Sequence, residues 1–224
     1  PRPVHRDLSL RTRWTRGWSV FVEDLVEGEP ASDSMSRESL IGMGRAYARV
    51  HSVTSERWDR PHRPRGGDML AEWAEWAQRL GGVAARASRK ARPDLARGFD
   101  ELGRWLHEHR PERMRAYSLC HNRVTPSNVI VRPDGSCVLI DLERVKLGSH
   151  LHELALLRRE VLGGSVARFE AFLIGYREVA PASLLPEAAP QAWEWHKKLV
   201  KLKRAHDAAR AGDFEGVRAE FSGE

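Results

Sequence analysis

Two polar residues flank a predicted β-hairpin and could together bind a metal ion. Residues 129–131 and 138–140 are rich in β-branched side chains, and a Pro-Asp-Gly turn at 133–135 joins them. Asn128 enters this hairpin and Asp141 leaves it, so we expect the two residues to lie side by side. An amide oxygen and a carboxylate are ligands that Mg²⁺ uses when phosphate supplies the others. The segment therefore predicts a site for magnesium and phosphate.

The residues around this hairpin resemble the catalytic segment of a known enzyme family. His121 is followed by six residues, Asn128, a hairpin and then Ile-Asp-x-Glu. The pattern is similar to His-Gly-Asp-x-x-x-x-Asn, hairpin, Ile-Asp of the aminoglycoside phosphotransferases and choline-kinase-like enzymes. These are small-molecule kinases with the protein-kinase fold. The resemblance implies that Asn128 and Asp141 bind Mg²⁺, that Glu143 is an additional or substitute carboxylate, and that His121 supports the catalytic loop.

One residue departs from the family's pattern at the catalytic position. Arg123 stands two residues after His121, where the family has its catalytic aspartate. That aspartate orients the substrate hydroxyl and accepts its proton. A guanidinium has no acceptor and stays protonated in proteins, so Arg123 cannot take that role. We expect it to pair instead with Asp141, with Glu143 or with a nucleotide phosphate.

A strand near the start of the chain predicts where a nucleotide would bind. Residues 18–23 have the composition of a strand, and Glu-Gly-Glu-Pro at 27–30 interrupts it. In the resembled family, a strand followed by this kind of turn is the hinge between the two lobes, and its backbone holds the adenine ring. The alternative is a strand and a turn without that role. The resemblance implies that the residues holding the base of ATP or GTP are Val22, Glu23, Asp24 and Leu25.

The chain contains few of the features expected of a kinase small lobe. It has no Gly-x-Gly-x-x-Gly, and its first lysine is Lys90, well past the predicted hinge. In kinases a glycine-rich loop and a strand lysine hold the phosphates. We therefore expect remnant small-lobe strands and the hinge at 1–30 and a large lobe at 31–224. The catalytic-type segment would span 117–155.

Most of the chain after residue 33 is predicted to be helical. Ser34 or Ser36 can cap a helix that runs through His51, Asp68 can cap the next, and Pro93 opens a third. Further helices are predicted at 165–179, about 187–205 and 213–221. The expected fold class is α+β: a protein-kinase-like large lobe, mostly helical, with a small β-hairpin at the metal loop and remnant strands at the N-terminus.

Several large aromatic residues are candidates for a substrate pocket. A helical stripe that includes Trp73 and Trp76 is predicted to be core or the wall of a groove. In the resembled family the late helices shape the acceptor pocket, although core packing is the more frequent role of such residues. The late candidates are Phe169, Phe172, Tyr176, Trp193 and Trp195.

Composition and charge restrict the possible partners. With 41% hydrophobic and 30% charged residues, the chain has the composition of a soluble globular protein, and it contains no apolar run long enough for a membrane span. No signal peptide is recognised at its start, so a cytoplasmic location is expected. The formal net charge is +6, but most arginines are scattered, which makes nucleic-acid binding an unlikely function. One basic cluster, predicted to be a solvated helix face, comprises Lys197, Lys198, Lys201, Lys203 and Arg204.

Three functions are compatible with these observations. The first is an ATP- and Mg²⁺-dependent phosphotransferase acting on a hydroxyl of an aminoglycoside-like, choline-like or sugar acceptor. The second is a degenerate member of the family that binds a nucleotide or a partner without transferring phosphate. The third is a non-enzymatic interaction domain. The presence of Arg123 favours the second and third, and the family resemblance favours the first.

Overall fold

The computed structural model describes residues 3–7, 20–23, 26–61, 63–90 and 92–222. Within this part of the chain the helices alternate with short strands, so the predicted α+β class is confirmed. The helices are α1 (Arg37–His51), α2 (Met69–Ser88), α3 (Pro93–Glu108), α4 (His150–Glu160), α5 (Val166–Val179), α6 (Pro190–Arg210) and α7 (Phe214–Ser222).

The strands form three antiparallel sheets. Strands β1 (Pro3–Asp7) and β2 (Val20–Glu23) pair with each other. A three-stranded sheet has the order β3-β8-β9, and a five-stranded sheet has the order β4-β7-β10-β5-β6. The remaining strands are β3 (Glu29–Pro30), β4 (Thr54–Ser55), β5 (Trp58–Arg60), β6 (Arg63–Arg65), β7 (Tyr117–Cys120), β8 (Val129–Val131), β9 (Cys137–Leu139) and β10 (Lys146–Gly148).

The predicted hairpin is present, with its second strand shifted by one residue. Strand β9 runs from Cys137 to Leu139 rather than from Val138 to Ile140. The turn places Gly135 at a φ of +77°, which glycine adopts without steric cost. Its N–H donates to the carbonyl of Arg132 at 2.9 Å. The outer strand of this sheet is β3, which follows the predicted hinge and pairs with β8 through Glu29 and Pro30.

Side-chain caps set the starts of helices α1 and α2, as the sequence predicts. The Ser36 hydroxyl accepts from the N–H of Ser39 at the start of α1. One oxygen of Asp68 accepts from the N–H groups of Leu70 and Ala71 at the start of α2. These bonds satisfy N–H groups that have no partner within the helix. Helix α6 is longer than predicted and ends at Arg210.

Two hydrophobic clusters hold the helices together. The first joins α1, α4 and α5 to the hairpin and includes Met43, Leu154 and Phe172. The second joins α2, α3, α6 and α7, with Phe99 and Trp195 fully buried. The late aromatic residues Phe169, Phe172, Tyr176 and Trp195 are therefore core, and Trp193 packs against the first cluster. In the part of the chain described here, no helix is long and apolar enough to cross a membrane.

Helices α1 and α5 approach each other closely because glycines face each other across their contact. A Cβ on Gly175 would lie 1.9 Å from the carbonyl oxygen of Ile41, and one on Gly44 would lie 2.0 Å from that of Phe172. Both neighbours are backbone atoms, which cannot rotate away as a flexible side chain would. Any side chain at either position must therefore push the helices apart.

We predict opposite effects of the same substitution at two glycines. Gly175→Ala should destabilise the fold by about 1–3 kcal/mol, because the overpacked helices must separate. Gly82→Ala should stabilise it by roughly 0.5–1 kcal/mol, because glycine is a poor helix former. A Cβ at Gly82 meets only the flexible end of Arg86, at 3.5 Å. Urea unfolding of both variants measures the difference, and equal stability of Gly175→Ala and wild type would contradict the close-contact argument.

Candidate active site

The hairpin brings the two predicted metal-binding residues together. The N–H of Ile140 donates to the carbonyl of Asn128 at 3.0 Å, so Asp141 follows directly on the strand position beside Asn128. Asp141 has a left-handed backbone with a φ of 60° and a ψ of 52°. This conformation is costly for most residues but tolerated by Asp and Asn. The chain therefore turns sharply at the residue that would bind the metal.

Arg123 contacts the residues at both ends of the hairpin, Asn128 and Asp141. Its carbonyl accepts a hydrogen bond from Asn128 Nδ2 at 3.0 Å. Its guanidinium donates to Asp141 Oδ2 and, at 3.3 Å, to Glu143 Oε1. The expected pairing of Arg123 with these two carboxylates is therefore confirmed.

The ion pairs of Arg123 are open to solvent. The side chains of Arg123, Asp141 and Glu143 are 44%, 31% and 64% exposed. Exposed ion pairs of this kind contribute about 0–1 kcal/mol each. A more strongly bound cation or anion can therefore displace Arg123 from the carboxylates without unfolding the loop.

His121 supports the loop from below. The ring is fully buried, and its Nε2 lies 2.7 Å from the carbonyl oxygen of Ile140, to which it donates. This bond fixes the backbone immediately before Asp141. The contact agrees with the supporting role that the sequence suggested, because His121 holds the site without reaching its open face.

Glu153 anchors the backbone of the loop at His121 and Asn122. Its two carboxylate oxygens accept from the N–H groups of His121 at 2.9 Å and Asn122 at 2.6 Å. His51 Nε2 lies 2.9 Å from the same carboxylate, and His51 Nδ1 lies 2.8 Å from the Tyr176 hydroxyl. The Glu153 side chain therefore reaches the loop from helix α4.

The hydrogen bonds of Glu153 decide its charge. Burial opposes ionisation of the carboxyl group, but the bonds from His51 and from the two backbone N–H groups outweigh it and lower its pKa. Glu153 is therefore an anion in the folded protein. His51, Cys120 and Glu153 also lie close enough to share a metal ion. Their oxygen and nitrogen atoms are already hydrogen-bonded to protein groups, so this trio serves the scaffold.

A cleft lined by tryptophans extends from the loop. The cavity of about 620 Å³ is lined by Trp58, Trp73 and Trp76 together with His152 and other polar residues. A second cavity of about 470 Å³ shares His152 with it and extends to Asn122, which lies next to Arg123. In agreement with the prediction for the Trp stripe, Trp73 packs against the second hydrophobic cluster, and both Trp73 and Trp76 line the cleft.

The remaining predicted residues belong to the N-terminal strands. Val22 and Glu23 are at the end of β2, and Asp24 and Leu25 lie outside the described residues. Their role in nucleotide binding stays a prediction, as does the division of the chain at residues 30 and 31. The sequence did not single out Asn122, whose left-handed φ of 59° turns its N–H toward Glu153. The sequence offered one signal for Asn122, which is that it lies directly between His121 and Arg123, both of them candidate site residues.

Comparisons with known proteins agree with a kinase-like fold for this chain. A family model described as phosphotransferase enzyme family matches residues 1–197. An aminoglycoside phosphotransferase from Alicyclobacillus acidocaldarius is 19% identical with a TM-score of 0.60, covering 90% of this chain and 66% of its own. The AMP complex of a spectinomycin phosphotransferase is 13% identical with a TM-score of 0.58, covering 93% and 71%.

A choline kinase from Cryptosporidium parvum is also similar in structure, with 13% identity, a TM-score of 0.54 and coverage of 90% and 68%. The chain spans about two-thirds of the length of each of these proteins. At such identities the similarity establishes the fold. No curated protein matches the sequence significantly.

We predict that Glu153→Gln loosens the loop. An amide can accept only through one oxygen, so a buried N–H loses its partner at a cost of about 1–3 kcal/mol. Amide hydrogen exchange at His121 and Asn122 should become faster, and the free energy of unfolding should fall. Glu160→Gln, on the same helix, removes an exposed ion pair to Arg204 and should cost at most about 1 kcal/mol. Unchanged exchange at both amides in Glu153→Gln would contradict the anchoring role.

Buried histidines predict a loss of stability in mild acid. Burial lowers the pKa of His150 and His152 to about 3 and that of His196 to about 4, from an ordinary 6.5. Between pH 6.5 and about 4 the unfolded chain therefore binds more protons than the folded one, so stability falls as pH falls. Urea unfolding at several pH values measures this slope. His196→Gln should reduce the slope, because it removes one of these three buried histidines.

Proposed function

Because the chain belongs to the phosphotransferase enzyme family, we propose that it transfers a phosphoryl group from a nucleotide to a hydroxyl of a small molecule, and that Arg123 makes this transfer slow. The observation that supports the proposal most directly is the guanidinium of Arg123 bound to Asp141 and Glu143. The site retains the oxygen ligands of a kinase. It holds the permanently charged guanidinium of Arg123 where a kinase needs a proton acceptor.

The donor set of the hairpin suits Mg²⁺. The amide of Asn128 donates through Nδ2 to the carbonyl of Arg123. Its Oδ1 accepts no hydrogen bond from the residues that the structure describes. Asn128, Asp141 and Glu143 therefore offer hard oxygen atoms on one loop, and these are the residues that would hold the metal. When bound, Mg²⁺ neutralises charge on the phosphoryl group during transfer. Arg123 competes for the same carboxylates.

Arg123 affects the reaction in two opposing ways. A guanidinium binds phosphate oxygens well, so once it leaves Asp141 it can hold the nucleotide. It cannot accept a proton from the substrate hydroxyl or orient that hydroxyl as an aspartate does. A positioned general base contributes about 10²–10⁴-fold in rate, which is the loss expected here.

The nucleotide base and the acceptor would bind at different parts of the chain. We assign the base to the backbone of residues 22–25, in accordance with the sequence prediction, and ATP or GTP fits this proposal equally. The acceptor would lie in the cleft lined by Trp58, Trp73 and Trp76. Its volume of about 620 Å³ is within the range of small-molecule sites. This arrangement agrees with a small lobe before residue 31 and a large lobe after it.

A second candidate function is binding without transfer. The same observation favours it, because Arg123 removes the base but leaves a cation suited to phosphate. Such a protein would bind the magnesium nucleotide and fail to turn it over with any acceptor. The two candidates differ in one measurable quantity, the turnover number of the chain.

We predict that Arg123→Asp raises phosphoryl transfer by at least tenfold. The substitution supplies the missing proton acceptor. It also replaces a charge that repels Mg²⁺ with one that attracts it, so Mg²⁺ binding should become tighter. The assay is turnover of ATP by the full chain against a panel of aminoglycosides, choline-like alcohols and sugars. Arg132→Asp makes the same charge change at an exposed hairpin residue and should leave turnover as it is. Asp141→Ala is the inactive control.

Three results would contradict parts of this proposal. If wild type is already active and Arg123→Asp is equal or slower, another group is the base, and Glu143 is the first to test. If neither protein turns over ATP but calorimetry detects magnesium-nucleotide binding, the binding function replaces the transferase. If neither protein binds a nucleotide, both candidate functions fail.

A further inference from the structure

A third cavity, distinct from the tryptophan cleft and from the cavity that reaches Asn122, is strongly basic. It has a volume of about 480 Å³ and lies between α4, α6 and α7. Its lining carries two carboxylates, Glu194 and Glu220, so positive charge exceeds negative by four. With the cavity that reaches Asn122 it shares only Val200 and Arg204. The basic residues that line it are Arg158, Arg159, Lys197, Lys198, Lys201 and Arg204.

Buried Glu220 fixes two guanidinium groups at this cavity. Its Oε1 accepts from Arg159 Nη2 at 2.6 Å and from Arg204 Nε at 2.9 Å. Arg204 also donates to Glu160. A guanidinium has five N–H groups, so each arginine keeps donors beyond those that Glu220 and Glu160 use. Both arginines are therefore already ordered before any ligand binds.

Two further cations at the cavity are held by aromatic rings. Arg158 lies over Phe169 at 5.8 Å, and Lys198 lies over Trp105 at 5.0 Å. Within the described residues, neither forms an ion pair with a carboxylate. A cation held on a ring remains available to an anion, because the ring neutralises none of its charge.

The cations also repel one another. Burial lowers the pKa of Lys201 and the positive charge of Lys198 lowers it further, Glu220 opposes this shift, and Arg159 adds the smallest lowering effect. Like charges held close together lower the stability of a protein. A bound anion would relieve this repulsion.

We propose that this cavity binds the phosphate groups of a small phosphorylated molecule. Arginine forks and lysine ammonium groups are the side chains that recognise phosphate, and this cavity combines both. Its volume fits a small molecule rather than a polymer. The proposal is independent of the proposed transferase function, because none of the six basic residues belongs to the hairpin loop. The sequence predicted a solvated face for much of this cluster, whereas four of those five residues line the cavity.

The test measures phosphate binding to the full chain with the hairpin site disabled. Calorimetry in a phosphate-free buffer would use the Asp141→Ala background, so that the proposed nucleotide site does not contribute. The probes are inorganic phosphate, pyrophosphate, ATP and a sugar phosphate, which distinguish a free anion from an organic phosphate. Pyrophosphate should bind with a Kd below 1 mM, a bound on the order of a weak specific site. Side-chain Nε–Hε NMR signals of Arg158, Arg159 and Arg204 should shift on binding.

Charge reversals inside and outside the cavity distinguish a built site from general attraction. Arg158→Glu and Lys198→Glu should each weaken pyrophosphate binding at least tenfold. Arg210→Glu makes the same change at an exposed position of α6 and should alter binding less than twofold. Lys198→Gln, a milder change, serves if a charge reversal fails to fold.

Several outcomes would overturn the proposal. One is the absence of binding for every phosphate probe at millimolar concentration. Another is a loss of pyrophosphate affinity in Arg210→Glu equal to the loss in the cavity variants, which would indicate attraction to the overall positive charge of the protein. A third is affinity for single-stranded oligonucleotides that rises with their length and exceeds that for pyrophosphate, which would indicate a nucleic-acid surface instead.

Discussion

The buried carboxylate of Glu153 is the contact on which the candidate site depends. It accepts from two successive backbone N–H groups of the loop and is bonded to His51. Backbone N–H groups buried without partners are costly, and here helix α4 supplies an acceptor to a segment that has no regular secondary structure. The loop geometry is therefore imposed by a helix that is distant in sequence.

The two sides of the loop are held with different strength. Below it, His121 and Glu153 are buried, and their bonds form where water does not compete. Above it, Arg123 pairs with Asp141 and Glu143 in solvent, where ion pairs are weak. A ligand that binds the carboxylates meets a rigid backbone and a movable side chain. This is the arrangement that a metal-nucleotide site requires, because the backbone positions the ligands while the competing cation can leave.

Local chemistry explains what the sequence could predict. The Pro-Asp-Gly turn, the caps at Ser36 and Asp68 and the hairpin around Asn128 each depend on a few adjacent residues, so their patterns are readable directly. The pairing of Arg123 with Asp141 was also predictable, because the hairpin brings its two ends together.

Tertiary packing explains what the sequence could not predict. The basic cavity forms because α4 and α7 bring Arg158 and Glu220 against α6, and no local pattern encodes that contact. Trp58 joins Trp73 in the cleft only after β5 packs on α2. Phe172 and Tyr176 face the core because α5 lies on α1 at glycine contacts, which a periodicity analysis does not detect.

The residues that support the loop differ from those that set its charge. This difference explains how position 123 can carry an arginine without a change in the shape of the loop. None of the bonds from His121, Asn122 or Glu153 involves the side chain at position 123, and Asn128 bonds only its carbonyl. The backbone conformation is therefore indifferent to whether position 123 is arginine or aspartate. A change of residue there alters the electrostatics and the proton acceptor of the site while leaving its shape intact. Whatever limit Arg123 places on the chemistry is thus local, and a single substitution is sufficient to test it.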